Sequence, residues 1–191
     1  MFKKNIIINN KKDLRKFYSN IKYYRTPLFI FTKFYSDNKE IEKIIEALNI
    51  KRRCKRIRFI YDEACDEVDK FCEGKNFCCF KNGVCRNKVK NGCCRKCFHL
   101  TDKGCPTRNL ACKLFFCSKI TDKHKILLFD DLKILYALPF RCRIIVRHDF
   151  FTLREEILMD MYIGWITILF IRYFYRSICH FLYRRFRKAK A

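Results

Sequence analysis

Residues 72–117 read Cys72-EGKNF-Cys78-Cys79-FKNGV-Cys85-RNKVKNG-Cys93-Cys94-RK-Cys97-FHLTDKG-Cys105-PTRNLA-Cys112-KLFF-Cys117. What these cysteines do decides how the chain is built. Ten of the 14 cysteines and four of the 5 glycines lie in this stretch. Asn82-Gly83-Val84-Cys85, Asn91-Gly92-Cys93 and Lys103-Gly104-Cys105 each set a glycine just ahead of a cysteine. There a positive φ lets a short turn bring sulfur back to a common point. Apolar periodicity is sparse across the stretch, so the pattern predicts an irregular centre organised by metal rather than by core burial.

Thiolates suit Zn²⁺ and iron–sulfur clusters, each commonly held by four cysteines. The candidate ligands are Cys72, Cys78, Cys79, Cys85, Cys93, Cys94, Cys97, Cys105, Cys112 and Cys117. Only Cys94-x2-Cys97 has the short spacing of a metal knuckle, and no ferredoxin-type spacing is present, which favours Zn²⁺ over an iron–sulfur cluster. The chain has no Cys-x3-Cys-x2-Cys loop, glycine-rich phosphate loop or H-E-x-x-H, and the sequence assigns no catalytic residue. Cys54, Cys65, Cys142 and Cys179 stand apart from the dense stretch and read as ordinary thiols. His99, two residues after Cys97, reads as an exposed histidine, and Arg147-His148-Asp149 as a chance neighbour pair.

Cys97-Phe-His-Leu100, then Gly104-Cys105, then Cys112-Lys-Leu-Phe115 and Cys117 resemble the second half of the zinc- or iron-chelating cysteine-cluster family. That pattern is C-x-x-L, a short turn ending in G-x-C or G-C, and then C-[RK]-x-F. The resemblance covers residues 97–117. It implies that Cys97, Cys105 and Cys112 are ligands, with Cys117 beside them, in a protein that chelates metal.

Formal net charge is +24. Residues 1–53 carry +9, residues 54–71 carry −1, and residues 72–117 and 118–191 carry +8 each. Basic residues beside thiolates favour ligation, so the charge within 72–117 has a local use. The flanking excess calls for an anionic partner, either nucleic acid or an anionic membrane surface. Arg172, Arg176, Arg184, Arg185, Arg187 and Lys188 are the candidate contacts, because no acidic residue follows Asp160. The uncharged run Met161–Ile171 has 11 residues. A span needs roughly 18–20, so none is expected. Ile6–Ile8 is too short for the roughly 7–15-residue apolar core of a signal peptide. The expectation is a cytoplasmic chain whose cysteines serve metal rather than disulfides.

Around the centre, periodicity predicts helices over Lys12–Tyr24, Lys39–Ile50 (capped by Ser36 or Asp37) and Arg56–Cys72. The third buries Ile57, Ile60, Tyr61, Ala64, Val68 and Phe71. Its other face carries Asp62, Glu63, Asp66, Glu67 and Asp69, either solvated or meeting basic side chains elsewhere in the fold. Pro27–Tyr35 fits a strand or a buried helical turn. Leu110–Phe116 fits a short helix and Asp122–Ala137 a longer one, with Leu128, Leu132, Leu135 and Tyr136 inward. A strand is expected at Phe140–Val146. A helix capped by Thr152 and Glu155 should run to about Arg187. The fold class expected is mainly α: one helical domain around a metal-organised cysteine-rich centre. Residues 1–71 form its N-terminal part, 72–117 its centre and 118–191 its C-terminal part.

Overall fold

A computed structural model describes residues 4–19, 31–75, 80–81, 84–85, 107–116, 121, 124–164, 167, 169–172, 174–175 and 178. The described residues are mostly helical and share one apolar core.

Ile6 and Ile7, in a run too short to signal anything by periodicity, belong to a strand. β1 (Lys4–Ile7) pairs in parallel with β2 (Thr32–Tyr35), Ile6 opposite Phe34. Parallel strands need a crossover, and α1 (Lys11–Ser19) lies within it. Asn10 starts α1: its side-chain oxygen accepts from the Lys12 and Asp13 N–H groups at 2.8 and 3.0 Å. Leu14 anchors the helix in the core; Ile21 and Tyr24 lie outside the described residues. Asn49 finishes the free side of β2. Its amide donates to the Phe34 carbonyl at 2.9 Å and its oxygen accepts the Phe34 N–H at 3.0 Å. One side chain thus answers both groups that a third strand would take.

A 3₁₀ turn (Lys39–Ile41) leads into α2 (Glu42–Asn49), which buries Ile44, Ala47 and Leu48. Its cap is Asn38, whose side chain accepts the Glu40 N–H at 2.9 Å. Ser36 instead accepts from the Asn38 N–H and donates to Asn9. The buried guanidinium of Arg56 closes the other end, donating to the Ile50 carbonyl at 2.6 Å. The central helix α3 (Arg53–Lys75) is longer than its periodicity predicted. Ile57, Ile60, Tyr61, Ala64, Cys65 and Val68 form its fully buried line, while Phe71 is half-buried.

Three elements differ from expectation, each for a local reason. Of the helix expected over Asp122–Ala137, the described residues 124–137 form no α-helix, because Asp131 folds back to accept the Leu128 N–H at 2.8 Å. Two 3₁₀ turns follow, at Phe129–Asp131 and Lys133–Ala137. Leu132, Leu135 and Leu138 then stack at the 3₁₀ period of three, all at most 2% exposed, and Leu128 is left outside. Phe140–Val146 is not a strand: α5 (Phe140–His148) buries Cys142, Ile145 and Val146 at helical spacing after Pro139. Finally, α6 (Arg154–Ile163) stops at Gly164, which takes the left-handed conformation at φ 73°. The chain after Gly164 is helical again at the described positions 167–178. Thr152 does not cap α6, because its hydroxyl donates to the Asp149 carboxylate.

β3 (Phe80–Lys81) pairs antiparallel with β4 (Val84–Cys85). Asn82-Gly83 between them is the residue pair that favours a two-residue turn.

Asn49→Ala removes both partners of the Phe34 peptide groups beside the buried Phe34 ring. The urea midpoint should fall by the equivalent of about 1–3 kcal/mol. Asn49→Asp, which accepts but cannot donate, should lie between the variant and the wild type.

Candidate functional site

The cysteine-rich stretch begins on α3 at Cys72, and its last part packs on the same helix from Thr107. From there the chain runs back along α3, with the short helix α4 (Leu110–Lys113) in the middle. The Tyr61 hydroxyl donates to the Arg108 carbonyl at 3.0 Å and accepts the Leu110 N–H at 3.1 Å. Further along, Asp69 pairs with Lys113, and the Phe71 and Phe116 rings meet edge to face at 6.4 Å. Tyr61 to Phe71 spans about 15 Å of helix. The segment carrying Cys112 is therefore laid against the helix carrying Cys72, which packs half-buried on the core.

Arg108 sits at φ 45°, uncommon for a side-chain-bearing residue. That geometry turns its carbonyl toward both Tyr61 and the Cys65 thiol, which lies 3.5 Å away. Asn109, 1% exposed, then makes three bonds. Its oxygen caps α4 on the Cys112 N–H at 2.9 Å, and its amide donates to the carbonyls of Asp149 and Thr152 at 2.7 and 3.0 Å. The α5–α6 turn is thereby clamped to α4. Within the clamp, Phe151 takes φ 60° and points its N–H at the Cys112 sulfur, 3.2 Å away. A strained residue at such a place signals a constraint met by its surroundings. A donor aimed at sulfur stabilises the thiolate, the form that ligates metal.

The isolated cysteines behave differently. Burial pushes the Cys65 thiol up to about 12 and the Cys142 thiol up to about 11. Each donates to a carbonyl at 3.5 Å, Arg108 and Met161 respectively. They are packed thiols, and Cys54 is exposed on the first turn of α3. Of the ten candidate ligands, Cys72 and Cys112 are described with their side chains and Cys85 by its place in β4. Cys78, Cys79, Cys93, Cys94, Cys97, Cys105 and Cys117 lie outside the described residues. Among the described residues no group of three or more metal-ligating side chains occurs.

The acidic face of α3 meets basic side chains. Asp62 takes a bidentate pair from Arg154 at 2.7 and 2.5 Å, Asp66 pairs with Arg108 at 2.6 Å, Glu63 pairs with Lys43, and Asp69 with Lys113. Arg108 and Lys113 belong to the cysteine stretch, so part of its basic charge answers carboxylates rather than thiolates. Exposed pairs of this kind contribute about 0.2–1 kcal/mol each.

Arg172 is also turned inward. Its Nη1 lies 2.8 Å from Asp149 Oδ2 and 2.5 Å from Asp160 Oδ2, and both carboxylates are buried. The second contact lacks hydrogen-bond geometry and leaves Asp160 Oδ2 without a donor, while Arg172 Nη2 donates to Asp160 Oδ1 at 3.3 Å. This corrects the expectation that Arg172 faces an outside anion: two interior charges hold it. Arg176, Arg184, Arg185, Arg187 and Lys188 lie outside the described residues. The Arg147-His148-Asp149 run splits, with His148 exposed and Asp149 facing the interior.

Asn109 and Phe151 were not singled out by the sequence, Tyr61 was read only as a core residue, and Asp149 only as part of a chance neighbour pair. Asn109 left a readable trace as a cap three residues before Cys112. Tyr61 looked like any core aromatic, and Phe151 acts through its backbone.

Tyr61→Phe should cost about 1–3 kcal/mol by chemical denaturation, because it strands the buried Leu110 N–H. Burial, countered by Arg172 and reinforced by Asp149 and Glu156, pushes the Asp160 carboxyl from 3.8 up to about 6. The folded protein holds that proton more tightly than the unfolded chain. Its contribution to stability is therefore greatest below about 4 and declines as pH rises to about 6. Unfolding free energies measured across that window should fall less steeply with pH in Asp160→Asn than in the wild type.

Comparison with protein-family models, curated proteins and solved structures found no match to this chain, so its function is argued from its own residues.

Proposed function

We propose that this chain is a metal-binding cysteine-cluster protein, with Zn²⁺ favoured over an iron–sulfur cluster and ligands drawn from the ten cysteines of residues 72–117. The observation that carries the reading is the Phe151 N–H directed at Cys112 sulfur from a turn clamped by Asn109. A framework of buried polar groups, Asn109, Asp149 and Thr152, sets that donor in place. It is the outer-shell support that metal ligands use to stay oriented.

Cys72 and Cys112 flank most of the cysteine stretch, and both sit on segments anchored by ordinary packing. In this reading helices supply the frame, and metal orders the chain between its anchors. The likeness of residues 97–117 to the chelating cysteine-cluster family supports the same class. A cytoplasmic location would keep the thiols reduced and available. The basic flanks add an anionic partner, nucleic acid or a membrane surface, to the proposal.

Metal analysis of protein purified aerobically and anaerobically tests the proposal. Stoichiometric Zn²⁺ in a colourless protein is the expected result, and Cys112→Ser should lower the metal content while Cys54→Ser leaves it unchanged. Iron with sulfide and absorption near ~400 nm would reverse the choice of metal. Protein that holds neither metal after anaerobic purification overturns the reading.

A further inference from the structure

At the described helical positions after Gly164, some side chains hold to the core and others face outward. Arg172 reaches inward to Asp149 and Asp160, and Leu169 packs partly buried on the core. Phe170, Ile171, Phe174, Tyr175 and Ile178 are 69, 64, 68, 67 and 42% exposed. At roughly 100° per residue these five, with the exposed Thr167, share an arc of about 140°. Arg172 and Leu169 fall on the opposite side. The sequence stripe Arg172, Arg176, His180 and Arg184 would suit a helix showing its cations to solvent. The structure reverses that at its first member: the cation is inside and the aromatic arc is outside.

We propose that this arc is a docking surface for an anionic lipid bilayer, on which the helix lies in the plane of the interface. The occupant follows from charge and chemistry together. A second copy of the chain carries the same +24 and is repelled. A bilayer containing anionic lipid offers both an apolar phase for Phe170, Ile171, Phe174 and Ile178 and negative charge for the basic residues that follow. Beyond Arg172, which is held inward, the chain has six Arg and Lys residues and no acid. Nucleic acid could stack on the aromatics but gains little from Ile171 and Ile178. No helix among the described residues is long and apolar enough to cross a membrane. The bidentate hold of Arg172 fixes the rotation of the helix, so the arc is presented without rearrangement. Interfacial helices bind through apolar area and attraction to anionic headgroups together.

The test uses the full-length protein and co-sedimentation with phosphatidylcholine vesicles, with and without phosphatidylserine. The wild type should bind the phosphatidylserine vesicles more tightly, and part of the binding should survive high salt, where surface charge is screened. Phe170→Ser, Phe174→Ser and Ile178→Ser combined should weaken binding at least about tenfold. These side chains are exposed, so far-ultraviolet circular dichroism and the urea midpoint should not change. Ile171→Ser alone gives a second, milder variant if the triple variant fails to fold. Failure of the wild type to bind either vesicle overturns the proposal, as does unchanged binding by a folded variant. If instead the substitutions weaken binding to single-stranded RNA or DNA and leave vesicle binding intact, the arc serves nucleic acid and the proposal falls. Metal content does not enter the readout, so the outcome is separable from the cysteine-cluster reading.

Discussion

Asp149 joins three parts of the molecule. Its carboxylate accepts from Arg172 on the C-terminal helix and from the Thr152 hydroxyl, and its carbonyl accepts from Asn109 beside α4. A carboxylate that is 2% exposed is tolerable only with such partners, since an unpaired buried charge is among the costliest groups a fold can hold. The turn at Asp149–Thr152 therefore cannot loosen without disturbing both the segment that carries Cys112 and the helix that carries the aromatic arc. Local backbone strain at Phe151 persists because these contacts over-determine it.

The helical character of the chain was legible because long, regular apolar stripes dominate α2 and α3. Tyr61 and Val68 fall on the buried line where the periodicity put them. Legibility failed where the repeat was not helical. Leu132, Leu135 and Leu138 fit a period of three, yet Leu128 and Leu132 also fit a helix, and the Asp131 side chain decided between them. Cys142, Ile144 and Val146 alternate like a strand, but Cys142, Ile145 and Val146 fit a helix equally well over so short a run. The β1–β2 pair was invisible because its two short segments are joined only through a distant register.

For the candidate site the division is similar. Cysteine density raised the metal reading, and Asn109, the cap of α4, drew no notice in the sequence. The supporting contacts depend on carbonyls and N–H groups of Arg108, Leu110 and Phe151, and side-chain identity carries no trace of those. The charge reading erred at Arg172 because linear spacing cannot tell a guanidinium facing solvent from one facing Asp149 and Asp160.

The anchoring of Thr107–Phe116 along α3 also bears on how the sequence between Lys75 and Thr107 is free to diverge. The return point is fixed by Tyr61, Cys65 and Asp69, none of which belongs to the dense cysteine stretch. Holding two such anchors together costs entropy that grows only with the logarithm of the intervening length, about 0.6 kcal/mol per doubling. On that scaling, a change in the number of residues between Lys75 and Thr107 adds little cost, whereas Tyr61, Asn109 and Asp149 each hold two or more segments of the helical body together.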